Sequence, residues 1–464
     1  MTELFQLSAT QIVEGVRARR FSARDVTEAH LARIDRANPG IRAIVQDGRD
    51  GALMAAQEID ARIARDEALG PLAGVPTTIK VNADQAGFAT SNGLHLLKDN
   101  IAAQDSPVVA SMRGADAVFV GRTNTPAFSM RWFTNNRVYG QTLNPRASEL
   151  TPGGSSGGAA AAVAAGLCAV AHGTDIAGSI RYPAYACGVH GLRPSLGRVP
   201  ALNTTGGDRL IGAQLMAVSG PIARRISDIA LAFGVMATPD ARDPWHVSMP
   251  LNGPPFARQA ALCIAPDGMT VAPDVRDALI RAARALEEAG WMVEEAACPP
   301  MAAAARINAI LWMAESALTL GDMIQEEGDQ DAQFVYRLMS REIGPPELGT
   351  VMDALKERAG VMREWDLFLQ RYPLLLCPVS GELPFEQQSD VRSEEDFFRI
   401  YAAQLPQRSV PVLGLPALAV ATGMAGRAPV GVQLMAGRFR EDILLKAGAV
   451  IEAAGPAPEV ADPL

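Results

Sequence analysis

Positive charge is scarce relative to negative in this chain of 464 residues: 42 Lys and Arg stand against 51 Asp and Glu, a formal net charge of -9. A nucleic-acid surface needs clustered cations, so no nucleic-acid partner is expected. Cysteine is scarce as well. The five, Cys168, Cys187, Cys263, Cys298 and Cys377, are widely spaced and form no CxxC pair. That pattern excludes a disulfide framework or a sequence-encoded zinc site, and it predicts reduced thiols in a cytoplasmic protein. Long apolar runs are missing. The smoothest, AAAAVAAGLCAVA from Ala159 to Ala171, is mostly alanine and too short to cross a bilayer. The N-terminal stretch MTELFQLSATQIVEG lacks a basic region followed by an apolar run, so neither a signal peptide nor membrane attachment is expected. The glycine-rich loops have no Lys after a GxxxxG spacing and no GxGxxG pattern. No nucleotide, flavin or metal cofactor is therefore expected. None of the five histidines stands in a serine-hydrolase order, and no GxSxG elbow surrounds a serine near His172.

What is present is an alternation of helical and strand-like segments. Residues 1–68 predict a helical segment: two helices up to a break at Pro39-Gly40, the second capped by Ser22, and a third over about 49–67. LAGVPTTIK predicts a strand ending at Lys80, and GADAVFVGRTNTP another. A helix is expected over 158–171, and one in PIARRISDIALAFGVM with Pro221 near its first turn. ALCIAP, the segment 273–289 and WMVEE predict strand, helix and strand. Residues 301–375 look mainly helical. LLLCPVSG, LPALAVATG and APVGVQLMAG predict buried strands, and EDILLKAGAVIEAA a closing helix. This alternation predicts an α/β fold.

Two glycine-boxed serine motifs stand out, GGSSGG with Ser155 and DIAGS with Ser179. A serine hydroxyl is a weak nucleophile until a base takes its proton. With no suitable histidine, the candidate base is Lys80, at the end of an apolar strand with no adjacent carboxylate, where burial would favour the neutral amine. The turn DIAGS places successive backbone N–H groups, from Ile176 through Ala177 and Gly178 to Ser179, in position to form an anion-binding nest. Read alone, GGSSGG is equally a helix-entry loop.

GTDIAGSIRYPA, preceded by the GGSSGG serine, resembles the amidase signature family. GVPTTIK, DSPVVASMRGADAVFVGRTNTP, CGVHGLRPSLGRVP, SGPIARRISD and the C-terminal LPALAVATG and APVGVQLMAG segments extend the resemblance over most of the chain. It implies one large α/β/α domain over 1–464 with a central mixed, twisted sheet. It implies Ser179 as nucleophile, Ser155 as bridging serine on a cis Gly154–Ser155 peptide, and Lys80 as general base, with Asp175 and Arg181 holding the loop. Two departures are visible: Ala177 where glycine is common, and Val81-Asn82 after the lysine where an aspartate is common. The expected activity is hydrolysis of small neutral aryl or alkyl amides, with carbamates and esters also accessible. Alternatives are the glutamine-hydrolysing component of an amidotransferase and a catalytically silent scaffold. Phe128, Met130, Arg131, Trp132 and Phe133 are expected to line the pocket, under a variable roof over 300–400 with Trp312, Met313 and Tyr336 as further candidates. An Arg131 guanidinium pointing into the cleft would select acidic substrates. The expected partner is a small-molecule amide, and the chain is expected to be a monomer or homodimer.

Overall fold

A computed structural model describes residues 3–345, 347–456 and 459–463. Its strands are β1 (Ile44–Asp47), β2 (Pro76–Lys80), β3 (Val118–Thr123), β4 (Val170–Asp175), β5 (His190–Arg193) and β6 (Val218–Ala223), followed by β7 (Gln259–Leu262), β8 (Met292–Glu295), β9 (Leu374–Pro378), β10 (Ala417–Ala425) and β11 (Ala428–Ala436). They form one 11-stranded sheet in the order β1-β3-β2-β4-β6-β5-β10-β11-β9-β7-β8. The sheet is mixed, as expected: β2 runs parallel to β3 and β4, whereas β6 is antiparallel to both β4 and β5. Helices cover it. Gly157–Ala164 packs on β4, Ile226–Met236 on β6, Pro273–Glu288 on β11 and Glu441–Ala454 on β10. Central strands covered by helices should read as continuous apolar runs, and β2, β3, β6 and β9 are buried at every position.

The local signals that held are those with a definite chemistry. Ser22 caps the helix Ala23–Ile41 in a reciprocal box: its hydroxyl accepts from the Asp25 N–H and its own N–H donates to the Asp25 carboxylate, each at 2.9 Å. Four expectations need correction. The helix Ala23–Ile41 continues past Pro39, because a proline in the last turn forfeits only its own N–H; the Asn38 side chain then accepts from Ala43 and Ile44 and turns the chain into β1. That strand, inside the segment expected to be wholly helical, pairs with β3. The expected helix 158–171 is split: Gly157–Ala164 ends at Gly166, whose φ is 71°, and β4 begins at Val170. Every residue of that run is buried, so apolar periodicity does not mark the change. Pro221 lies within β6, not in a helix. It is tolerated there because the β5 ladder on one side of β6 stops at Ile222.

Candidate active site

The parallel neighbours β2 and β4 point their carboxyl ends the same way, and their last residues are Lys80 and Asp175. The loops that follow or adjoin these ends carry Ser155 and Ser179. This is the crevice outside the carboxyl ends of parallel strands, where α/β sheets bind ligands. Lys80 Nζ lies 2.6 Å from Ser155 Oγ and donates to Thr174 Oγ1 at 2.9 Å, and the same threonine oxygen accepts from Asn82 Nδ2 at 3.0 Å. Asn82 thus occupies the place near the lysine without bringing a negative charge to it. Lys80 is fully buried, and burial drives its ammonium pKa well below the ordinary lysine value despite the opposing pull of Asp175.

The Gly154–Ser155 peptide is cis. A Cβ on Gly154 would sit 2.4 Å from the Arg131 carbonyl oxygen, so only glycine fits there. The neighbouring Ser156 has a different part: its hydroxyl accepts from the Thr174 N–H at 3.2 Å, and its own N–H donates to the Ser179 carbonyl, which fastens the serine loop to β4 and to the loop that carries Ser179. The hydroxyls of Ser155 and Ser179 face one cleft without a hydrogen bond between them.

The loop Asp175–Ser179 is held from all sides. Asp175 accepts from Arg181 Nε at 2.9 Å and Nη2 at 3.0 Å, and from the Gly178 N–H at 2.9 Å. Arg193, the last residue of β5, donates to the Asp175 carbonyl at 2.6 Å. Burial alone would raise the Asp175 pKa, but the Arg181 and Arg193 charges and the donated hydrogen bonds outweigh it and hold the carboxyl at about 2. Trp132 Nε1 donates to the Ala177 carbonyl at 2.8 Å and Asn308 Nδ2 to the Ile176 carbonyl at 3.0 Å. In a planar trans peptide the N–H points opposite its C=O, so these bonds set the direction of each amide. The Gly178 N–H is spent on Asp175 and is not available to an oxyanion, contrary to expectation. Among the described residues, the N–H groups of Ile176, Ala177 and Ser179 donate to no protein acceptor. Gly178 has φ 99°, and a Cβ there would meet Gln407 at 2.5 Å, whereas Ala177 fits without positive φ.

Two spaces meet at Ser179. An open cleft of ≈ 530 Å³ is bordered by Asn82, Phe128, Ser155, Thr174, Ser179 and Trp312. A narrow apolar cavity of ≈ 20 Å³ is walled by Met130, Trp132, Trp312, Met339, Phe397 and Tyr401. That volume holds about one water, which needs ~10–15 Å³, so an aryl group enters only when these side chains shift. Arg131 also borders the cavity, but its charge is spent inside the protein: Nε and Nη2 donate to Asp390 at 2.9 and 2.8 Å, and Nη1 to Asp331 at 2.7 Å. Phe133 is corrected from wall to core, fully buried with its ring centroid 6.2 Å from that of Phe385. Met313 is also core, and Tyr336 borders a groove that does not include Ser179. His172 is buried and hydrogen bonded to Ser219 at 3.0 Å; burial, with the Lys80 and Arg122 charges, lowers its pKa to about 3. Asn308, Met339, Phe397 and Tyr401 were not singled out from sequence, because a core methionine and a cavity methionine have the same spacing. Arg193 carried one available signal, its place in CGVHGLRP.

Among the described residues, no cluster of three or more His, Cys, Asp or Glu side chains is suited to a metal, and no helix is long and apolar enough to cross a membrane. The profile of the family described as Amidase matches residues 25–445. An indoleacetamide hydrolase from Bradyrhizobium diazoefficiens is 39% identical, over 97% of this chain and 86% of the relative. An acylamidase from Rhodococcus erythropolis is 33% identical, over 98% of this chain and 97% of the relative. A component of the glutamyl-tRNA(Gln) amidotransferase from Carboxydothermus hydrogenoformans is also 33% identical, over 97% of each chain. Among solved structures, a bacterial aryl acylamidase of the amidase signature family superposes with a TM-score of 0.85 at 28% identity, covering 98% of this chain and 97% of that one. Sheet order, the loops at the ends of β2 and β4, and these likenesses together make this chain a member of the amidase signature family, amide-hydrolysing enzymes with an α/β fold.

Proposed function

We propose that the protein hydrolyses the C–N bond of small uncharged amides carrying an aryl or apolar acyl group, through an acyl-enzyme on Ser179. The observation that carries this reading is Lys80: a fully buried amine with a strongly lowered pKa, 2.6 Å from Ser155, in the cleft that also holds Ser179. A neutral amine has a lone pair, so Ser155 donates its proton to Lys80 and accepts one from Ser179. Ser179 Oγ then attacks the amide carbon. The N–H groups of Ile176, Ala177 and Ser179, unpaired within the described protein, receive the oxyanion. The proton returns through Ser155 to the leaving nitrogen as the C–N bond breaks. Water, deprotonated by the same pair, attacks the acyl-enzyme and releases the acid.

The apolar walls Met130, Trp132, Trp312, Phe397 and Tyr401 support an aromatic or aliphatic acyl group. The pairing of Arg131 with Asp390 and Asp331 supports uncharged substrates, since that guanidinium has little left to offer a substrate carboxylate. It also disfavours the glutamine-hydrolysing alternative. Carbamates and esters present the same attacked carbonyl, and an apolar slot need not reject one extra oxygen. The test is kcat/KM for phenylacetamide, a neutral anilide, the matching carbamate and glutamine, with mass spectrometry of the intact protein during turnover. Preference for the neutral amides and an acyl adduct on Ser179 are expected. A dominant rate with glutamine, or turnover without an adduct at Ser179, overturns the proposal.

A further inference from the structure

Two guanidinium groups border the narrow cavity at Ser179, and their circumstances differ. Arg131 is fully paired with Asp331 and Asp390. Arg408, in the helix Leu405–Leu413, makes no salt bridge with any described residue, and its Nε is buried with no hydrogen-bond partner. The side chain is nevertheless held in place. Its Cζ lies 3.6 Å from the centroid of the Tyr401 ring, a cation–π stack. Tyr401 is buried and belongs to an aromatic cluster, with Phe397 at 5.6 Å and Trp132 at 6.1 Å between ring centroids. The same Trp132 anchors the nucleophile loop through Ala177. A chain of packed rings thus connects the position of Arg408 to that of Ser179.

A buried N–H without an acceptor has lost its water and gained nothing in return. Arg122, Arg193 and Arg198 also have a buried Nε without a partner, but of these four arginines Arg408 is the one that lines the cavity at Ser179, where a ligand oxygen completes the donor, and a planar guanidinium already stacked on a ring gives up little freedom when it binds. We infer that Arg408 is a specificity-determining residue of this site: from the wall of the cavity it donates a hydrogen bond to an oxygen acceptor carried by the substrate's acyl group. The preferred substrates are then aryl amides with a carbonyl, phenol or ether oxygen on the ring, rather than plain hydrocarbon amides. This rests on the reading that the acyl group occupies the cavity beside Ser179.

The experiment measures binding and turnover of three matched ligands: 4-isopropylphenylacetamide, 4-acetylphenylacetamide and 4-carboxyphenylacetamide. Binding is titrated on Ser179→Ala, so that it does not depend on the chemistry of Ser179. Expected is at least tenfold tighter binding of the acetyl than of the isopropyl ligand. That ratio should collapse toward one in Ser179→Ala combined with Arg408→Met, and in the polar control Arg408→Gln, each checked for folding by its thermal transition. Because the ratio is internal to each variant, a general loss of affinity cancels. The same loss of discrimination should appear in kcat/KM with Ser179 present. An unchanged ratio in either Arg408 variant, or a wild-type preference for the isopropyl ligand, overturns the inference. A carboxylate ligand that far exceeds the acetyl one leaves Arg408 in its role and corrects the proposed function, whose uncharged substrates would then be wrong. Absence of an acyl adduct at Ser179 with the binding ratio intact has the same consequence for the catalytic reading alone.

Discussion

The segment from Thr151 to Arg193 and the helical roof over 300–400 meet at the same cavity, yet they are built differently. In the first, every residue is buried except Thr174 and Ile176, which are partly exposed, and both of these border the cleft. Its charges are paired inside the protein, with the single carboxylate Asp175 set between Arg181 and Arg193. In the roof, long helices send a few side chains to the cavity, such as Asn308, Trp312 and Met339, while Leu318 and Leu348 stand 77% and 78% exposed. The difference separates two tasks. In the proposed mechanism the groups that move protons need one arrangement, and a buried, densely hydrogen-bonded segment at the ends of parallel strands provides it. Groups that choose the acyl chain need only shape, which helices can change without disturbing the sheet.

The largest effect should come from removing the proposed nucleophile. Ser179→Ala is expected to lower kcat by at least ~10³-fold with no acyl adduct detectable by mass spectrometry and an unchanged circular-dichroism spectrum. An adduct at another serine would sink the assignment. Next come the relay groups. Lys80→Ala and Ser155→Ala should each cost ~10²–10⁴-fold in kcat, and the double variant should cost less than the product of the two, since they act as a unit. The base works only when deprotonated. The activity of the wild type should therefore fall as pH drops through the lowered pKa that burial imposes on Lys80, well below the ordinary lysine value. A pH–rate profile that is flat down to pH 5, with the protein folded, contradicts lysine as base.

Asp175→Asn tests whether the buried segment depends on its paired charges. It leaves the charges of Arg181 and Arg193 buried with neutral acceptors and no carboxylate, and breaking such a buried pair costs about 3–5 kcal/mol. The measurement is urea unfolding. The sign with pH follows from the direction of the shift. The folded carboxyl is held at about 2, below the ~3.9 of an unfolded aspartate. Its stabilisation is complete above the unfolded value and is lost as pH falls through the folded one, so the difference between wild type and Asp175→Asn should shrink between about pH 4 and pH 2. The smallest effect is expected in the roof. Met339→Ala opens the cavity and should shift relative kcat/KM toward bulkier aryl amides by roughly tenfold, the worth of about one to two methylenes in a pocket. A loss of acyl-enzyme formation in that variant would erase the distinction between the two regions.

Much of this was readable along the chain because it is local chemistry. Ser22 and Asp25 cap a helix at fixed spacing, and two glycine-boxed serines with a strand-end lysine mark a candidate site. Such features depend on a few neighbouring residues, and the resemblance of the motifs to the amidase signature family added the fold. Other features were out of reach. The split of the Ala159–Ala171 run into helix and strand follows from which neighbours bury it, because a segment buried all round carries no periodicity. The Gly178 N–H turns to Asp175 only because Trp132 and the two arginines orient that loop from elsewhere in the chain. Arg131 and Arg408 are indistinguishable as letters. One meets Asp331 and Asp390, hundreds of residues away in sequence, and the other meets only an aromatic face. Whether a guanidinium is neutralised or left to a ligand is a matter of non-local pairing in a medium of low polarity, and that pairing exists only once the chain has folded.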